Sequence, residues 1–162
     1  MRTTRRTVAA AIVGVSATLA LAAAQAQRAE LRIHGPQGDS TEAVQLQPHD
    51  IKLAPSARKG ISSAALVGSA EEAGVYLVRV RMEPDTVNAA HVHPDARVST
   101  VISGTVYYGI GPVADRDKAR AFGPGSVYFT PPSTPHFLMT GDEPVVYEEV
   151  GFGPSKSTPV FR

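Results

Sequence analysis

Short runs rich in Val, Ile, Tyr and Thr recur along the chain from residue 43 onward, each broken off by a cluster of turn-forming residues. The pattern predicts strands over Ala43–Leu46, Ile51–Leu53, Ser62–Val67, Gly74–Met82 and Arg97–Ile102, then over Thr105–Ile110, Ser126–Thr130, Phe137–Thr140 and Pro144–Val150. Between them stand Pro84 with Asp85, Gly104, Gly111 with Pro112, Pro124 with Gly125, the Pro131–Pro135 stretch, and Gly141 with Asp142. Only Asp115–Ala121 has helical composition, enough for one turn. Short strands punctuated this regularly predict an all-β sandwich or barrel. On the Arg97–Ile102 strand, Val98, Thr100 and Ile102 share one side and leave an apolar stripe that needs cover. Either a second copy, in a homodimer, or the N-terminal strands would supply it.

Composition supports the β reading, because 14 Gly and 13 Pro among 162 residues sit badly inside helices. With 43% hydrophobic and 19% charged residues the chain is of ordinary globular make-up, and its length fits one domain. The first 26 residues stand apart: Arg2, Arg5 and Arg6 precede an apolar run from Val8 to Ala24, and Ala24-Gln25-Ala26 suits a signal peptidase. Residues 1–26 are therefore expected to be a signal peptide, with Gln27 opening a periplasmic or secreted protein and Thr4-Arg5-Arg6 giving weak twin-arginine character. Residues 27–42, polar and carrying Gly35, Pro36 and Gly38, read as a flexible segment before a barrel over 43–162.

Charge then changes sign. The whole chain has a formal net charge of +1, but without the three signal arginines 13 Lys and Arg face 15 Asp and Glu. No basic run interleaved with aromatics remains, which argues against a nucleic-acid partner, and after cleavage no membrane partner is expected. Without any Cys, a metal ion would have to be held by His and oxygen. No GxSxG, HExxH or Walker pattern is present.

The chemistry concentrates on histidine. His91 and His93 flank Val92, so on a strand both imidazoles face one side and reach one ion. A third, His136, follows a Gly125-started β-run and the Pro131–Pro135 turn. His34 and His49 are isolated and read as surface residues.

These two segments resemble the paired motifs of the cupin superfamily, with His91, His93 and Gly104 in register with the first and Gly125, Pro131 and His136 with the second. The resemblance covers about Gly74 to Val150 and implies a double-stranded β-helix, the jelly-roll cupin barrel. His91, His93 and His136 would bind a divalent ion (Fe, Mn, Zn, Ni or Cu) at its mouth. Asp85, Ser133 and Thr140 replace a Gly, a Gly and an Asn of the pattern.

The largest departure is Arg97, which occupies the place of the usual glutamate ligand. A guanidinium about 5 Å from a doubly charged ion is opposed by roughly 7 kcal/mol at an effective dielectric near 20. Three resolutions stay open: a three-His site with Arg97 turned to Asp95 or Glu149, a substrate-binding Arg97 that clamps an anion, or a site without metal. Arg97→Glu is expected to tighten metal binding by restoring the missing carboxylate. Function divides likewise between an oxidoreductase or lyase, dioxygenase-like in its use of metal, acting on a small organic molecule, and a non-catalytic small-ligand binding or sensor module.

Overall fold

The computed structural model of the chain describes residues 33–35, 38–40 and 43–161, with side chains from 43 onward. The signal segment expected over 1–26 lies outside these residues. Within the stretch expected to be a flexible segment, β1 (Ile33–Gly35) and β2 (Gly38–Ser40) pair with each other. Next come β3 (Ala54–Pro55), β4 (Ile61–Val67), β5 (Gly74–Met82), β6 (Val87–Val92), β7 (Arg97–Ser103) and β8 (Val106–Ile110). The last five are β9 (Arg120–Phe122), β10 (Val127–Thr130), β11 (His136–Met139), β12 (Val145–Gly153) and β13 (Thr158–Pro159). A six-stranded sheet runs β10-β7-β12-β5-β4-β3, and a five-stranded one β13-β6-β11-β8-β9. Every pairing within them is antiparallel.

From β5 onward the chain changes sheet at every connection except β8 to β9. This alternation is the jelly roll, and the turn chemistry explains where it occurs. Asp85 (φ 52°) and Ser133 (φ 56°) adopt the same left-handed backbone as Gly104 (73°) and Gly125 (80°). All four are positions where the cupin pattern carries glycine, and short polar side chains are the ones that tolerate this conformation in its stead. Thr140 keeps a turn-fastening role: its hydroxyl donates to the Glu83 carbonyl at 2.7 Å and accepts from the Thr86 amide at 2.8 Å.

The apolar core lies between the sheets. Ile61, Val80, Met82, Val101, Tyr128, Val145 and Tyr147 of the larger sheet pack with Val106, Tyr108 and Leu138 of the smaller. Alternation puts the other residues of the larger sheet outside: Val98 and Ile102 are exposed, as are Val127, Phe129, Val150 and Phe152.

Two expected strands are absent. Ala43–Leu46 and Ile51–Leu53 have no ladder partner; a single 3-10 turn, Pro48–Asp50, separates them. Val44, Leu46 and Ile51 instead line a groove with Leu66, Leu77 and the Arg79–Glu148 pair, so this segment does cover one end of the outer face. The helical stretch proves to be a 3-10 turn, Arg116–Lys118, with the Asp115 carboxylate accepting from the Asp117 amide, and it runs directly into β9. Conversely β6 forms without a β-branched run, since Asn88, Ala89 and Ala90 have poor strand propensity and only its pairing with β11 and β13 makes it a strand.

Candidate metal centre

The site begins with an irregularity. His91 lies opposite His136 and Asn88 opposite Leu138, so three steps along β6 match two along β11. The extra residue of this β-bulge shifts the inward parity of β6, a common device for re-aiming a side chain beside a functional site. His91, His93 and His136 are consequently all buried, at 3%, 6% and 2% exposure. One ring nitrogen from each lies within 4.8 Å of the others. His93 stands just past the end of β6, and its carbonyl accepts from the Ser133 amide at 2.7 Å, which locks the two motif segments together.

Which nitrogens converge is settled by the hydrogen bonds. The Nδ1–H groups of His91, His93 and His136 donate to the carbonyls of Ala89 (2.7 Å), Lys156 (3.0 Å) and Thr134 (2.9 Å). Carbonyls only accept, so each ring is the Nδ1–H tautomer and offers an Nε2 lone pair, the arrangement typical of metal-ligating histidine. Burial lowers the His91 pKa to about 4, helped by the charges of His136 and Arg58. Burial, then the Arg97 charge, takes His93 to about 3, and the same two causes lower His136. Three neutral, inward-facing Nε2 atoms fit a divalent ion without proton competition at neutral pH. His49 is exposed in the 3-10 turn and takes no part.

These shifts set a pH dependence. A base whose pKa is depressed on folding binds fewer protons folded than unfolded, so its contribution is lost as pH falls below the unfolded value near 6.5. Metal-free protein is expected to keep a constant urea midpoint from pH 7 to 8. By pH 5 it should lose roughly 2 kcal/mol for each of His91 and His93. A midpoint that rises between pH 7 and pH 5 would contradict buried neutral imidazoles.

Arg97 is buried, but it begins β7, in the other sheet from the histidines. The parity argued from His91 and His93 therefore does not carry across the Pro94–Asp95 turn. Its guanidinium makes two hydrogen bonds: Nη1 donates to Glu149 Oε2 at 3.1 Å and Nη2 to Ser155 Oγ at 2.8 Å. Nε faces Asp95 Oδ2 across 3.5 Å, an electrostatic contact without a hydrogen bond. The Ser155 and Tyr76 hydroxyls donate to the two Asp95 oxygens. Burial pushes the Asp95 carboxyl up, but those hydroxyls and the Arg97 charge outweigh it and leave it below its ordinary value. For Glu149 burial wins over Arg97 and raises the pKa. The charge conflict that the sequence posed is thus answered by both carboxylates named for it. The expected benefit of Arg97→Glu does not survive, because a third carboxylate would join Asp95 and Glu149 with no cation among them.

Sequence reasoning missed Ser155 and Tyr76. Gly151 would have hinted at the latter, since any Cβ there would collide with the Tyr76 hydroxyl and Asp95. It also missed Ser99 and Asn88, whose buried Oδ1 has no hydrogen-bond partner among the described residues. Ser99 pairs in register with Tyr128 on one side and Glu149 on the other.

Residues 78–151 match the cupin domain family model. Similar solved structures include the polyketide cyclase RemF of Streptomyces resistomycificus, at 20% identity over 75% of this chain and 87% of that one, TM-score 0.64. An RmlC-like cupin from Shewanella frigidimarina aligns at 14% identity over 70% and 94%, TM-score 0.55. A sugar phosphate isomerase of the cupin superfamily from Silicibacter pomeroyi aligns at 19% over 67% and 75%, TM-score 0.53. Comparison with the curated proteins gave no match. The jelly roll and the family match agree on the class: residues 78–151 carry a cupin domain, and the fold around them is that of solved cupins.

Proposed function

We infer that this cupin holds one divalent first-row transition-metal ion on His91, His93 and His136 and acts on a small organic molecule. The observation that carries this reading is the convergence of three Nε2 atoms whose partner nitrogens are all capped by carbonyls. Imidazole donors suit zinc, copper, iron and nickel. Three protein ligands leave coordination positions open, as in catalytic rather than structural sites, and such an ion supplies Lewis-acid or redox chemistry when bound. Arg97 belongs to the scaffold in this reading, because its fork donates to Glu149 and Ser155. The cupin-fold neighbours described as a polyketide cyclase and a sugar phosphate isomerase support a small-molecule substrate. Elemental analysis of protein purified without a chelating tag is expected to give close to one equivalent of metal. Less than a tenth, with no uptake on titration with zinc, iron or manganese, would overturn the assignment.

A non-catalytic ligand-binding barrel is the second reading, favoured by the buried Asn88 Oδ1, which has no hydrogen-bond partner among the described residues and offers a polar contact to a bound ligand. Stoichiometric metal without dioxygen consumption or turnover on a panel of phenols, diketones and sugars would select it.

The outer face of the larger sheet completes the proposal as a homodimer contact. Phe129, Val98 and Val150 are adjacent across three strands, flanked by Val127, Ile102 and Phe152. A patch on the order of several hundred Å² of this kind marks an interaction surface. The only charges in the next row, Arg79 and Glu148, already pair with each other at 2.9 Å, so the face can meet its own copy without like-charge repulsion. Light scattering is expected to give a dimer that Phe129→Glu with Val98→Glu converts to monomer; a monomeric parent protein would sink the contact.

A further inference from the structure

The three Nδ1 anchors are not equivalent. His91 and His136 each bond a carbonyl two residues earlier in the chain, so their tautomers are fixed locally. His93 depends on Lys156, 63 positions later. That carbonyl stands on a C-terminal strap, 153–160, in which Pro154, Lys156, Thr158 and Pro159 are exposed and Ser155 is buried. Polar contacts fasten the strap: the Ser155 amide donates to the Ala70 carbonyl at 2.6 Å, the Val160 amide to the Ala90 carbonyl at 3.0 Å, and Arg58 donates to Ser157 Oγ. β13 pairs Thr158 and Pro159 with Val92 and His91. The buried peg is the Ser155 hydroxyl, which accepts from Arg97 Nη2 and donates to Asp95.

We propose that Ser155, gripped by Arg97 and Asp95, is a positioning residue of the metal centre, holding the strap so that the Lys156 carbonyl keeps His93 in the tautomer whose Nε2 lone pair faces inward. A neutral imidazole chooses its tautomer by the partner of its other nitrogen. Without the carbonyl, His93 gains access to the Nε2–H form, which carries a hydrogen where a ligand lone pair is required. Arg97 thereby serves the centre from the position where the family supplies a ligand, acting through Ser155 and the strap. This inference rests on the metal reading above, but it is decided on the metal-free protein.

The experiment is ¹⁵N–¹H correlation of the histidine side chains in metal-free wild-type protein, Ser155→Ala and Ser155→Thr. In Ser155→Ala, His93 alone is expected to shift from the Nδ1–H pattern toward a mixture of tautomers, while His91 and His136 keep theirs. Ser155→Thr, which retains the hydroxyl, keeps the wild-type pattern. Zinc affinity by chelator competition then falls 10- to 100-fold in Ser155→Ala, as for other residues that orient a ligating histidine. An unchanged His93 spectrum in Ser155→Ala overturns the proposal, as does an equal change in all three rings or the same loss in Ser155→Thr. Wild-type protein that takes up no zinc while His93 responds as stated overturns the metal reading and leaves the positioning role of Ser155 standing.

Discussion

His93→Ala is expected to abolish metal retention through purification while the barrel still folds. If the ~10–16 kcal/mol of a four-ligand structural zinc site is shared evenly, each ligand accounts for roughly 2.5–4 kcal/mol, on the order of a hundred- to thousandfold in affinity. The loss should exceed that arithmetic, because two imidazoles from opposite strands, His91 and His136, no longer define a face of the coordination sphere. His49→Ala serves as the control, since that ring is exposed outside the barrel and its removal should leave metal content unchanged. Metal content in His93→Ala equal to wild type, by elemental analysis, would remove this residue from the centre.

Arg97→Met is expected to destabilise the protein by about 3–5 kcal/mol, the cost of leaving buried carboxylates without their cation. Two such groups are involved, with side chains only 6% (Asp95) and 13% (Glu149) exposed, and methionine can fill the volume but answer neither. Against a typical domain stability of ~5–15 kcal/mol this is a large fraction, visible as a lowered urea midpoint at pH 7. Adding Glu149→Gln to Arg97→Met should recover part of the loss, because one uncompensated charge is then gone. A change below about 1 kcal/mol in the single variant would show that the Asp95–Arg97–Glu149 cluster is not held by charge compensation.

The histidines and the fold were legible in the sequence for different reasons. Gly74–Met82 is a strand with the bounds its residues predict, and the breaks at Pro84–Asp85, Gly104 and Pro124–Gly125 are real, because turn residues act locally through allowed φ. The His91–Val92–His93 spacing was read as plain alternation, whereas the inward turn of both rings depends on a bulge against β11 that no local pattern announces. Ala43–Leu46 and Ile51–Leu53 failed as strands because a strand exists only where a neighbour offers a ladder.

By itself, then, the sequence determined the sheet-forming segments, the places where they break and the identity of the three imidazoles, all properties of residue type and short spacing. Tertiary structure alone decided that Arg97 meets Glu149 and Ser155, that the Lys156 carbonyl holds His93 with Nε2 inward, and that Ser155 and Lys156 close the site from the far end of the chain. Those outcomes join residues about 50 to 60 positions apart, and the free energy that selects them, the compensation of charge and hydrogen bonds away from water, exists only once the sheets have enclosed them.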